Sequence, residues 1–158
     1  NLFNILRAYY SEWKFKHPLP NDFRRIAERI SGIRLQWYLT DWTQTTNKID
    51  YAISDVEDKG DGSKINLRRN QLMPMPLELL VVLKNGESEL HYIPISLMRG
   101  EKANPYPIKW VVHTDWAWAH LEYSFLIDHP KEEIQTIIID PSGLMADVDK
   151  SNNYYASE

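Results

Sequence analysis

Cysteine is absent from the 158 residues, which excludes disulfides, zinc–thiolate sites and thiol nucleophiles. That absence does not fix a compartment, but exported bacterial proteins often lack cysteine, so a periplasmic or exported location is favoured over a cytoplasmic one. No run reaches the roughly 18 apolar residues that a membrane-spanning helix needs. The net charge of −4 offers no surplus of Lys and Arg to neutralise phosphates, and nucleic acid is not an expected partner. There is no H-E-x-x-H pair and no Gly-rich phosphate loop. Ser142 in Pro141-Ser142-Gly143 lacks the first Gly of a nucleophile elbow and is expected in a turn. What remains is 43% hydrophobic and 12% aromatic, with six Trp, a composition that folds around a core.

The first 46 residues read as helices. Leu2, Ile5, Leu6, Tyr9 and Trp13 recur at the spacing of one buried helical face. That face starts at once, with no cap and no signal-peptide pattern before it, so a fragment of a longer polypeptide is expected. Pro18 and Pro20 forbid continuation past Phe15. A second helix is expected with Asn21 as N-cap, Asp22 in its first turn, and Phe23, Ile26, Ala27 and Ile30 on one face. Gly32 supplies its left-handed stop. A third helix places Leu35, Tyr38, Leu39 and Trp42 together.

From about Lys48 the hydrophobic period changes from 3.6 to 2. Ile49, Tyr51 and Ile53 alternate with polar residues, and Ile65 and Leu67 return after Lys59-Gly60-Asp61-Gly62. Leu77 to Lys84 is a nearly continuous apolar run, suited to a strand buried on both faces. Asn85-Gly86 marks a hairpin with positive φ at both turn residues. Further strands are expected at 87–95, 108–113, 121–127 and 134–139. The fold class is mainly β with N-terminal helices: a helical segment over 1–46, then an antiparallel immunoglobulin-like β-sandwich of about seven strands over 47–158.

Chemistry-bearing residues are sparse in pattern. His17, His91, His113, His120 and His129 have no histidine partner at i+3 or i+4, and isolated His on strands is more often hydrogen-bonded than ligating. Asp147, Asp149, Ser151, Asn153 and Glu158 occupy the oxygen-ligand spacing of a calcium loop, but Asn152 replaces the usual Gly and no flanking helix is visible. A capped, solvated turn is the simpler expectation. Trp110, Trp116 and Trp118 form an aromatic cluster that either closes the sandwich, packs on a neighbouring domain, or stacks on sugars or peptides. Arg99, in a charged loop after a strand, is a candidate anion contact or a solvated side chain.

Several stretches are similar to a known family. Tyr9-Tyr10-Ser11-Glu12-Trp13-Lys14-Phe15-Lys16-His17-Pro18, Asn21-Asp22-Phe23, Ser31-Gly32 and Leu35-Gln36-Trp37-Tyr38 resemble the last catalytic-domain helices of aminopeptidase N-like zinc peptidases, the gluzincins. Gln71-Leu72-Met73-Pro74-Met75-Pro76, Ile93-Pro94, Met98-Arg99-Gly100-Glu101 and Ile139-Asp140-Pro141-Ser142-Gly143 resemble the end of bacterial members. The resemblance implies a helical remnant of a catalytic domain followed by a strand-rich domain. The family's H-E-x-x-H, its distant Glu ligand and its G-x-M-E-N motif would lie upstream. No catalytic or metal residue is therefore carried over, and zinc is expected in the parent protein but not in this chain. The implied partners are the upstream catalytic domain of the same polypeptide and, for the parent, a peptide substrate. The chain alone is expected to be inactive. The alternative expectation is a stand-alone module that binds peptide or carbohydrate through surface Trp.

Overall fold

The computed structural model describes residues 2–104 and 106–157. Those residues form three α-helices and eight strands in two sheets. The chain divides into two compact units. One comprises residues up to Thr46 together with Leu97–Glu101, and the other Asn47–Ser96 together with the chain from Lys102 onward.

The helical unit contains α1 (Leu2–Trp13), α2 (Pro20–Ser31) and α3 (Gln36–Gln44). Its core is thin: Ile5, Ile26 and Ala27 are buried together, with Ala8, Tyr9, Trp13, Phe23, Ile30 and Leu35 packed around them, and Met98 is buried in the Leu97–Glu101 segment. Tyr9 meets Phe23 edge-on at 5.3 Å between ring centroids, and this pair joins α1 to α2. The start of α2 differs from expectation. Leu19, not Asn21, is the N-cap, because Pro20 enters the first turn with its φ preset and no N–H to satisfy. Asp22 Oδ2 then accepts the Leu19 N–H at 2.8 Å. Gly32 ends α2 in the left-handed conformation (φ 75°), its N–H donating to Glu28 O. The Leu97–Glu101 segment is tied in through Arg34 N–H to Met98 O at 2.7 Å.

In the strand-rich unit, β1 (Tyr51–Asp58), β2 (Ser63–Arg69) and β6 (Glu122–Ile127) form a three-stranded sheet in the order β1-β2-β6. The second sheet has the order β5-β4-β3-β7-β8, from β3 (Leu77–Leu83), β4 (Ser88–Ile93), β5 (Lys109–Val112), β7 (Ile134–Ile139) and β8 (Tyr154–Ala156). Two features depart from the expected all-antiparallel, seven-strand pattern. β5 pairs parallel to β4, and β8 adds an eighth strand antiparallel to β7. β3 is fully buried on one face and half-covered on the other, because Glu78, Leu80 and Val82 alternate with Leu77, Leu79, Val81 and Leu83. The β3–β4 turn is a three-residue loop: Gly86 donates to Leu83 O, Leu83 donates to Glu87 O, and only Gly86 takes positive φ (90°).

Candidate functional site

The residues with the most unusual surroundings lie on β4. A strand sends alternate side chains to opposite faces, so Glu89 and His91 share one face and Leu90 and Tyr92 the other. Both Glu89 and His91 are almost fully buried, at 4% and 2% exposure. The parallel register of β5 sets Lys109 opposite Glu89 and carries the chain to His113, whose N–H donates to Tyr92 O at 2.9 Å. His129 arrives just after β6, where its carbonyl accepts the Ser63 hydroxyl at 2.8 Å.

These groups form one connected network. Lys109 Nζ pairs with Glu89 Oε2, reaching in from a side chain that is itself exposed. Glu89 Oε1 lies 2.9 Å from His129 Nε2 and 3.4 Å from His91 Nε2. His91 Nδ1 is 2.8 Å from His113 Nε2, and the two rings stack at 5.1 Å. Phe125, from the three-stranded sheet, packs on both rings at 5.5 and 4.1 Å. Glu133 extends the network outward, with Oε2 at 3.8 Å from His129 Nδ1.

The electrostatics follow from burial and partners. Burial acts to raise the Glu89 carboxyl, but Lys109 and the neighbouring histidines outweigh it and hold it below the ordinary carboxylate value. Burial pushes His91 down to about 4, against the pull of Glu89, so this ring is neutral at pH 7. Burial also lowers His113. The hydrogen bond to Glu89 raises Lys109. The arrangement is thus a buried carboxylate with a surface cation and a neutral imidazole pair, in which the His91–His113 hydrogen bond can hold a shared proton while His91 Nε2 makes no hydrogen bond. Sequence reasoning treated these histidines singly and did not single out Glu89 or Lys109. The available signal was Glu89-x-His91 on one face of a strand whose flanking residues are apolar.

The three tryptophans do not form one surface. Trp116 is a core residue at 3% exposure, stacked on Tyr123 at 5.2 Å and edge-on to Tyr51 at 5.4 Å. Its indole N–H donates to His120 O. Trp110 is half-buried on β5 and stacks on Tyr92 at 5.2 Å. Trp118 is 58% exposed, and its carbonyl accepts from the buried Arg69 guanidinium. Arg99 is exposed, with a positive φ of 50°. An apolar cavity of about 260 Å³ lies on the Leu90 face of the five-stranded sheet, lined by Leu80, Leu90, Tyr106, Pro107, Ile108 and Pro141.

In the 147–153 segment the carboxylates already act as hydrogen-bond acceptors. Asp147 Oδ2 accepts from Tyr51 N–H at 3.0 Å and from the Asn153 amide at 3.3 Å, and its Oδ1 accepts from Asp149 N–H at 2.9 Å. Asp149 Oδ1 accepts from the Ser151 N–H and hydroxyl. Glu158 lies outside the described residues. Ser142 sits in the turn after β7, and its hydroxyl donates to Asp140 Oδ1 at 2.8 Å. Among the described residues, no group of three or more His, Asp or Glu is arranged to hold a metal ion. Among the described residues, no helix is long and apolar enough to cross a membrane. Comparison with known protein families, with curated proteins and with solved structures gave no match.

Proposed function

We propose that this chain is a non-catalytic, C-terminal part of an aminopeptidase N-like zinc peptidase, in which it supports the catalytic domain and shapes access for peptide substrates. In this reading the strand-rich unit is an immunoglobulin-like β-sandwich and the helical unit belongs to the end of the catalytic domain. The observation that carries the proposal is the apolar surface of the helical unit. Leu2, Phe3, Leu6, Tyr10, Phe15, Leu19 and Trp42 are all exposed, Phe15 at 95%, while the buried core is confined to Ile5, Ile26, Ala27 and Met98. An apolar surface that outweighs the core beneath it is the signature of a face made to be covered by more protein. The resemblance of motifs in that same unit to gluzincins supports a catalytic domain as the cover.

The test is the full reading frame that encodes the chain, together with an assay. An upstream H-E-x-x-H followed by a Glu roughly twenty residues later is expected. Purified chain alone is expected to show no aminopeptidase turnover. A frame without that motif, or chelator-sensitive turnover by this chain alone, would overturn the reading. A second reading, a binding module for peptide or carbohydrate, draws on the cavity beside Leu80 and Leu90 and on the exposed Trp118 ring. It predicts Trp fluorescence quenching by peptides or oligosaccharides, and no quenching at millimolar ligand would remove it.

A further inference from the structure

The parallel strand β5 is held to β4 by its ladder, by the Lys109–Glu89 pair and by the Trp110–Tyr92 stack, whereas the segment after it has fewer links to β4. His113 N–H donates to Tyr92 O, and Trp116 N–H donates to Pro94 O at 2.8 Å. Ser96 N–H returns a bond to Trp116 O at 3.2 Å. Beyond β5, the side-chain link to β4 is the imidazole pair, His91 Nδ1 to His113 Nε2 at 2.8 Å. Such a bond requires one nitrogen to donate and the other to accept, so at least one ring must be short of a proton. When both rings are doubly protonated, each facing nitrogen carries hydrogen and the stacked rings carry like charge.

We propose that the His91–His113 pair is an acid-operated latch, which holds the segment His113–His120 against β4 when one ring is neutral and releases it when both are protonated. The surroundings make release the favoured response to that second proton. From β4, Glu89 faces the pair and attracts charge onto His91, but its carboxylate is already shared with Lys109 of β5 and with His129 beyond β6. Lys109 adds a cation of the same sign, offset in part by Asp128 and Glu87 around it. Glu133 lies farther out, against His129. From β6 the pair meets the uncharged ring of Phe125, with Tyr123 beyond it at 6.3 Å, and from β3 it meets Leu79 in register with His91. Inward movement is blocked by this packing. His113 is half-buried and most residues after it are exposed, so outward movement meets no packing beyond Trp116 but must break the Tyr123 hydroxyl's bond to Thr114 O at 2.7 Å and the Arg69 bond to Trp118 O. Trp116 travels with the segment and would leave its stack on Tyr123 and its edge-on contact with Tyr51.

The latch is independent of the role proposed above, and its test needs no partner. The whole chain is titrated from about pH 7.5 to about pH 3.5, with Trp emission, far-UV circular dichroism and histidine ring NMR followed together. The expected result is a red shift of emission while the strand signal persists. Its midpoint should fall between the ordinary histidine value of 6.5 and the folded His91 value of about 4. His113→Gln, which keeps a hydrogen-bonding side chain but takes no proton, should abolish that separate transition. Trp116→Phe should remove most of its amplitude. Emission and circular dichroism changing at one common midpoint would overturn the proposal. So would an unchanged transition in His113→Gln. Should that variant fold poorly, the wild-type NMR titration decides: protonation of both rings with the His113–His120 resonances unmoved would also overturn it.

Discussion

The helical and strand-rich units use apolar residues in opposite ways. In the strand-rich unit Ile65, Leu79, Val81, Ile93, Ile134 and Ile137 show essentially no exposure, and the interior even encloses a Glu and a His. In the helical unit seven large apolar side chains are exposed and most of the others are only partly covered, around a core of Ile5, Ile26, Ala27 and Met98. The cause is geometric. Two sheets can bury one face of each against the other within a single unit, whereas two helices in contact bury only a narrow stripe of each. The strand-rich unit therefore supplies its own stability, and the helical unit's remaining stripes are surface available for docking.

The largest expected effect comes from cutting the well-packed core. Leu79→Ala should cost the strand-rich unit about 4 kcal/mol, measured by denaturant unfolding followed at its own NMR resonances. Ile26→Ala in the helical unit should cost only about 2 kcal/mol, since its thinner surroundings can collapse into the gap. Equal losses would dissolve the contrast.

Acid should act on the strand-rich unit next. An unfolded histidine binds a proton near 6.5, whereas folded His91 resists one down to about 4. Between those values the unfolded state takes up more protons, so stability falls as pH drops through the window, by about 3 kcal/mol in total. Glu89, held below its ordinary value, works in the same direction at lower pH: its contribution is lost as pH falls through its folded value. Urea midpoints at pH 7 and pH 4.5 read this directly. The smallest effect is expected on the exposed face. Phe3→Ser should change stability by less than about 0.5 kcal/mol while lowering hydrophobic dye binding.

The strands were legible because side-chain alternation is a local signal. Seven expected segments correspond to β1 through β7, and β8 was not legible because Tyr154–Ala156 is too short to show a period. The histidine network was not legible for a different reason. His91 and His113 are 22 residues apart and meet only because β5 returns parallel to β4, a connection that no local pattern encodes. The place of Trp116 was likewise open between packing and ligand stacking, and the bridge between Ile95 and Trp116 turns it into the core. On the helices the period was legible but the burial was not. Leu2 and Leu6 share the expected stripe with Ile5, yet only Ile5 is covered.

Native-state hydrogen exchange of the whole chain tests the contrast most directly. The amides of β3 and β4 should exchange only through global unfolding of their unit, while those of α1 and α3 should exchange at least about 100-fold faster through local opening. Equal protection of α1 and β3 would contradict the account.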